Sequence, residues 1–157
     1  MRSSAASDVY KRQIYAFTLS PEEITACYEH GTPTLAARVA SVKLAGKMGH
    51  PVRLCFDPMI YYPHYKEVYR RMLGEVFAQI DTDHIVDVSM GSFRISKDYL
   101  KNMRRHDVLS PVVQFPYENI DGVYQYPDKL RQEMEGFLHK ELCKYVEEEH
   151  IFCWDQI

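Results

Sequence analysis

Residues 14–59 read IYAFTLSPEEITACYEHGTPTLAARVASVKLAGKMGHPVRLCFDPM. The run opens on β-branched and aromatic residues from Ile14 to Leu19, the composition of a strand. Ser20-Pro21-Glu22-Glu23 then reads as a helix start: Ser20 suits the cap, Pro21 the first helical position, and Glu23 completes a capping box. That helix extends to about His30 and stops at Gly31. A second helix is expected from Thr34 to Met48, with Leu35, Val39, Val42 and Leu44 near one face and Gly49 closing it. Val52 to Phe56 is a buried strand, ended at Asp57-Pro58 because proline brings no N–H to a ladder.

The same alternation continues downstream. His64 to Ile80 carries Val68, Met72, Leu73, Val76 and Phe77 at helical spacing, and Ile85 to Met90 is the next strand. Ser96 caps a helix to about Arg105. Pro111 to Tyr126 reads as a β-hairpin turning at Asp121-Gly122. A long helix follows from Pro127 to about Glu149, then a short strand from Ile151 to Trp154. Strand and helix alternating in this way make a parallel sheet flanked by helices, an α/β fold. Three such units are too few to close an eight-stranded barrel and suit half of an open or partial one.

Bulk properties narrow the function. The chain has 157 residues, 46% hydrophobic and 26% charged, with a net charge of −3, which fits one globular domain and argues against a nucleic-acid binder acting through overall charge. No apolar run reaches the ~20 residues of a membrane span. No apolar segment of a secretion signal is present, so a cytoplasmic protein without a membrane partner is expected. The four cysteines, Cys27, Cys55, Cys143 and Cys153, are widely spread, as reduced thiols are. The sequence sets no oligomeric state.

In parallel α/β sheets the ligand lies at the carboxyl ends of the strands. That rule selects Thr18-Leu19-Ser20, Phe56-Asp57-Pro58-Met59 and Ser89 to Arg94. Thr18 and Ser20 offer hydroxyls, although Ser20 also serves as a helix cap. Asp57 can orient a ligand or simply end a strand in an Asp-Pro turn. Gly91 lets a backbone approach a ligand closely, and Arg94 suits a carboxylate or phosphate, or else lies at the surface beyond a tight turn. Arg38 follows an apolar helix face and needs an acidic partner such as Glu29 if buried; an ion pair and a ligand contact are both open. His139, Cys143, His150 and Cys153 fit no usual zinc spacing, and the last helix and strand are expected to bury both cysteines. MIYYPHYKEVYRR, residues 59–71, is either a base-stacking run or an amphipathic core helix. No nucleophile–base motif and no phosphate loop is present.

The stretch from Tyr15 to Tyr62 resembles the second half of the radical S-adenosylmethionine domain of the spore photoproduct lyase family. The resemblance rests on an ordered series: Thr18-Leu19-Ser20 at a strand end, Gly31-Thr32 in a turn, Arg38 in the next helix, Gly49-His50-Pro51, then Asp57-Pro58-Met59. SMGSFRI, residues 89–95, is similar to a Gly-Thr-Phe-Arg element of many relatives. The resemblance covers residues 14–105 well and the remainder loosely.

It implies half of a partial (β/α)6 barrel, the last three βα units, with a C-terminal hairpin, long helix and short strand. It implies S-adenosylmethionine and a 4Fe–4S cluster in a longer parent, neither bound by this portion alone. The radical chemistry they start reverses a thymine dimer in damaged DNA in the best-known members. Thr18 matches the hydroxyl that holds the amino-acid end of S-adenosylmethionine, and Asp57, with Pro58, the position whose backbone meets the adenine. Arg38 falls beside them. Ser89, Gly91, Arg94 and Tyr124 fall on the substrate side.

The sequence departs from the family in two places. No two cysteines stand at CxxxCxxC spacing, which three thiolate ligands require. The comparable hairpin, VVQFPYENIDGVYQYP, has no basic residue, which leaves a radical enzyme acting on a non-DNA substrate as an alternative. A non-catalytic α/β binding domain is the other. Residues 1–13 match nothing in the family, and SSAASDVYKRQ resembles translated sequencing-adapter read-through. They are expected to be a disordered or arbitrary leader, ahead of barrel residues 14–110 and an appendage at 111–157.

Overall fold

The computed structural model describes residues 13–153. The leader expected at residues 1–13 lies outside them except for Gln13, as does Trp154. The elements run β1 (Tyr15–Thr18), α1 (Glu22–Tyr28), α2 (Leu35–Lys47), β2 (Val52–Met59), α3 (Tyr65–Phe77), β3 (Ile85–Ser92), β4 (Arg94–Ser96), α4 (Lys97–His106), β5 (Glu118–Ile120), β6 (Val123–Gln125), α5 (Asp128–Leu142) and β7 (Ile151–Cys153).

The fold is mixed α/β. One sheet has four strands in the order β1-β2-β3-β7, all parallel, and a second has three antiparallel strands in the order β4-β6-β5. Val52, Leu54 and Phe56 of β2 join Val88 and Met90 of β3 in the core, against Val39 and Val42 of α2, Leu73 and Val76 of α3, and Met134 and Leu138 of α5. Each such side chain contributes ~1.5–3 kcal/mol by leaving water. Strand side chains alternate between faces, so Arg53, Cys55 and Asp57 turn away from that core and are only half-buried.

Several local expectations are corrected. Strand β2 runs through Asp57-Pro58 to Met59 instead of stopping. The ladder with β3 is interrupted between Phe56 and Met59, so proline's missing N–H falls in the irregular stretch. Ser20 does not cap α1: Pro21 holds that position without a side-chain bond, and Ser20 is buried. Glu23 pairs with Arg71 of α3 instead of closing a capping box. Helix α2 begins as expected, with the Thr34 hydroxyl accepting from the Ala37 N–H at 3.2 Å and Glu22 accepting from the Leu35 N–H at 3.0 Å. Leu44 lies outside the core at 59% exposed, because Ala45 takes the inward position. Ser96 precedes α4 without a side-chain cap bond.

The hairpin is shorter than expected, Glu118 to Gln125, around a turn in which Asp121 (φ 51°) and Gly122 (φ 87°) are both left-handed. That is the backbone of the tight turn that favours Asp-Gly. Its second strand also pairs with β4, which places Ile95 beside Tyr124. The last helix ends at Leu142, after which Tyr145 turns to stack on Phe77 of α3 at 4.5 Å between ring centroids.

Candidate functional site

Parallel register sets the carboxyl end of β1 level with the middle of β2 and β3. Thr18 of β1 pairs with Cys55 of β2, and Cys55 with Ser89 of β3, so the three share the sheet face opposite the helical core. Thr18 is exposed, Cys55 half-buried and Ser89 buried. Farther toward the carboxyl ends follow Asp57, Pro58 and Gly91. Toward the amino ends, Arg53 and Asp87 pair in register and form a two-pronged ion pair, with Nη2 donating to Oδ2 at 2.6 Å. The face is therefore polar across β2 and β3, through Arg53, Asp57, Asp87 and Ser89, and is flanked by Ala16 of β1 beside Arg53 and the exposed Phe152 of β7 beside Ser89, unlike the Val-Leu-Phe face behind it.

Arg38 of α2 belongs to this site as an anchor. Its Nε donates to the Pro33 carbonyl at 2.9 Å and its Nη1 to the Thr18 carbonyl at 3.2 Å. Its Nη2 donates to Glu29 at 2.5 Å and to the Thr32 hydroxyl at 2.9 Å. A guanidinium has five N–H donors, and these bonds occupy four of them. Glu29 is thus the partner, and the role of Arg38 is to fix the backbone at Thr18 rather than to meet a ligand with a free fork.

Arg94 and Tyr124 lie elsewhere. They stand in neighbouring registers of the antiparallel sheet, Arg94 opposite Gln125 and Tyr124 opposite Ile95, past the carboxyl end of β3. The structure thus joins Thr18 to Arg38 directly, sets Ser89 in the same row two strands away across Cys55, sets Asp57, Pro58 and Gly91 farther toward the carboxyl ends of β2 and β3, and places Arg94 and Tyr124 on a second sheet.

Sequence reasoning missed Glu135 of α5, whose Oε1 accepts from the Ser92 N–H at 3.0 Å and the Ser92 hydroxyl at 2.7 Å, pinning the end of β3. Helical position alone gives no sign of that reach. It also missed the Arg53–Asp87 pair, which only the register reveals.

The tyrosines of residues 59–71 are mainly structural. Tyr65 and Tyr69 are buried, and the Tyr69 hydroxyl accepts from the Ile60 N–H at 2.9 Å. Tyr126, at 1% exposed, accepts from the Tyr61 N–H at 2.9 Å and packs against Tyr61, Phe115 and Tyr117. Burial pushes the Tyr69 and Tyr117 phenols well above their ordinary range and raises the Tyr126 phenol, so all three are neutral near pH 7. Cys143 is exposed and Cys153 half-buried, against the expectation that both are buried, because α5 ends before Cys143 and β7 is an edge strand. Among the described residues no three histidine, cysteine or acidic side chains are grouped to hold a metal ion, and no helix is long and apolar enough to cross a membrane.

No protein-family model matches the chain, and no curated protein matches it. Solved structures do. A cysteine-to-serine variant of spore photoproduct lyase superposes with a TM-score of 0.75 at 14% identity, over 91% of this chain and 44% of that one. A cysteine-to-alanine variant gives a TM-score of 0.77 over the same shares. A variant with bound AdoMet and dinucleoside spore photoproduct gives 0.75, over 89% of this chain and 43% of that one. The chain spans less than half the length of these structures. At 14% identity the likeness establishes the fold: residues 13–153 adopt an architecture similar to that of spore photoproduct lyase.

Proposed function

We propose that this chain is part of a radical S-adenosylmethionine enzyme of the spore photoproduct lyase kind, contributing the last three βα units of a partial (β/α)6 barrel. The observation that carries the reading is the row Thr18–Cys55–Ser89, level with the carboxyl end of β1 on the face opposite the core, in a fold shared with that enzyme over 91% of the chain. Residues 14–110 are read as the barrel portion and 111–157 as an appendage whose strand β7 adds to β3.

S-adenosylmethionine supplies such enzymes with a radical source, and the residues here suit its binding. The exposed Thr18 hydroxyl would take the amino-acid end, held in place through its Arg38-bound carbonyl. The irregular backbone at Asp57-Pro58 would meet the adenine edge. Ser89 and Gly91 would border the substrate, and Glu135 keeps that strand end in position. The 4Fe–4S cluster is a different matter: the described residues do not fit it, because Cys27, Cys55 and Cys143 with Cys153 never reach CxxxCxxC spacing. The reading therefore requires cysteines from outside residues 13–153.

The substrate we favour is a DNA lesion, since the fold-sharing lyase is solved with dinucleoside spore photoproduct. A non-DNA substrate is the second reading, favoured by a hairpin that carries Glu118 and Asp121 and no cation. The test is to reconstitute the parent protein with iron and sulfide and assay reductive cleavage of S-adenosylmethionine with and without ultraviolet-irradiated DNA. Brown colour, 5′-deoxyadenosine and lesion loss are expected. A colourless product overturns the radical reading, and cleavage indifferent to DNA favours the second substrate class.

A further inference from the structure

The cations that the hairpin lacks stand next to it. Helix α4 reads KDYLKNMRRH and carries Lys97, Lys101, Arg104 and Arg105 against one carboxylate, Asp98, in a chain whose net charge is −3. Lys97, Leu100, Lys101, Arg104, Arg105 and Tyr124 line a groove of about 360 Å³ between the helix and the hairpin. The Lys97 N–H donates to the Gly122 carbonyl at 3.2 Å, which fixes the helix start against the hairpin turn.

One cation of the four is committed. Arg104 donates to the Val113 carbonyl at 2.7 Å and to the Phe115 carbonyl at 3.4 Å, holding the following loop. Lys97, Lys101 and Arg105 are exposed and form no ion pair among the described residues. They stand four residues apart, on one face of the helix. At 1.5 Å per residue this is a cationic rail with steps of about 6 Å and a length of about 12 Å. One strand of DNA presents a phosphate every ~3.4 Å of its axis, so the rail spans three to four phosphates.

We propose that the α4–hairpin groove binds the phosphodiester backbone of one nucleic-acid strand, with Lys97, Lys101 and Arg105 as the phosphate contacts and Tyr124 as the wall. The groove deepens the functional reading above by naming where a polymeric substrate lies, and it rests on that reading only for the choice of substrate class. It begins three residues beyond Arg94, so a strand seated there passes the carboxyl end of β3. An anionic lipid surface is the competing occupant, because Tyr99 and Met103 are exposed on the same helix. Those two lie on another side of α4 from the rail by helical position, and the rail lines a concave groove rather than a flat face.

The experiment is fluorescence anisotropy of the 157-residue chain with a labelled twelve-nucleotide oligothymidylate, repeated across salt concentrations. Three phosphate contacts to a single strand predict a slope of log K against log salt of about −2. Lys97→Gln, Lys101→Gln and Arg105→Gln should each flatten the slope by about 0.7, and the triple variant should lose tenfold or more in affinity at low salt. Lys43→Gln with Lys47→Gln, on α2, should change neither. Unfolding curves that coincide with the parent's show that the variants remain folded. Undiminished binding by the triple variant, no oligonucleotide binding by the parent chain, or binding to phosphatidylserine vesicles in its place would each overturn the proposal. None of these readouts uses a cofactor, so a failure here leaves S-adenosylmethionine cleavage by the parent protein to be judged separately.

Discussion

Replacing Arg38 probes how the site is held. Its guanidinium joins β1, the turn at Thr32–Pro33 and Glu29, and its side chain is 12% exposed. Three of its bonds go to neutral acceptors and one to a carboxylate. A net ~1 kcal/mol for each neutral bond and ~1.5–3 for the charged one gives an upper figure of about 6 kcal/mol for Arg38→Met. The carbonyls of Thr18 and Pro33 belong to exposed residues and recover water, and Glu29 is itself 26% exposed, so about 3 kcal/mol is expected. Arg38→Lys keeps the charge but not the planar fork and should lose about 2 kcal/mol. Urea unfolding of both variants, combined with Glu29→Gln in a double-mutant cycle, should give a coupling energy of about 1–2 kcal/mol. A loss under 1 kcal/mol for Arg38→Met, with coupling below about 0.5, would refute the anchor and return Arg38 to the ligand side of the site.

Other expectations follow from buried polar groups. Tyr69→Phe leaves the Ile60 N–H without its partner in the core and should cost about 1–3 kcal/mol in urea unfolding. Glu141 is held below the usual carboxylate range, first by its hydrogen bond from Lys144 at 2.6 Å and then by Arg70. Its contribution is therefore complete above the unfolded carboxyl pKa near ~4.3 and is lost as pH falls through the lower folded value. Glu141→Gln should remove that part of the acid slope, measured as unfolding midpoints from pH 7 to pH 3. The Tyr69, Tyr117 and Tyr126 phenols are raised by burial, so their contribution is complete below ~10 and is lost as pH rises toward the folded values. Thermal melts should fall steeply above that pH, and Tyr69→Phe with Tyr126→Phe should remove tyrosinate absorbance only from the part that appears together with unfolding.

The legible parts of this protein are those set by local pattern. Ile14 to Phe56 announced strand, helix, helix and strand because β-branched runs, helical spacing and the stops at Gly31 and Gly49 are read within a few residues of each other. Arg38 with Glu29 was legible for a similar reason, a charge on an otherwise apolar helix. What failed depended on distant partners. Strand β4 has three residues and exists only because β6, some thirty positions later, pairs with it. Glu23 left its capping box for Arg71, and Tyr145 ended the last helix early to stack on Phe77. The polar row across β1, β2 and β3 needed the register, which no single strand encodes. The rail on α4 was present in the sequence as Lys97, Lys101 and Arg105, yet it acquired meaning only when the hairpin was seen beside it.

The central claim is that this polar-faced sheet is one portion of a radical S-adenosylmethionine barrel. The most direct measurement is the genomic sequence upstream of the codon for Ile14. The account predicts that the reading frame continues through a CxxxCxxC segment preceded by further βα units. A stop codon and a ribosome-binding site immediately ahead of Met1 would contradict it, and the chain would then be a binding domain without radical chemistry.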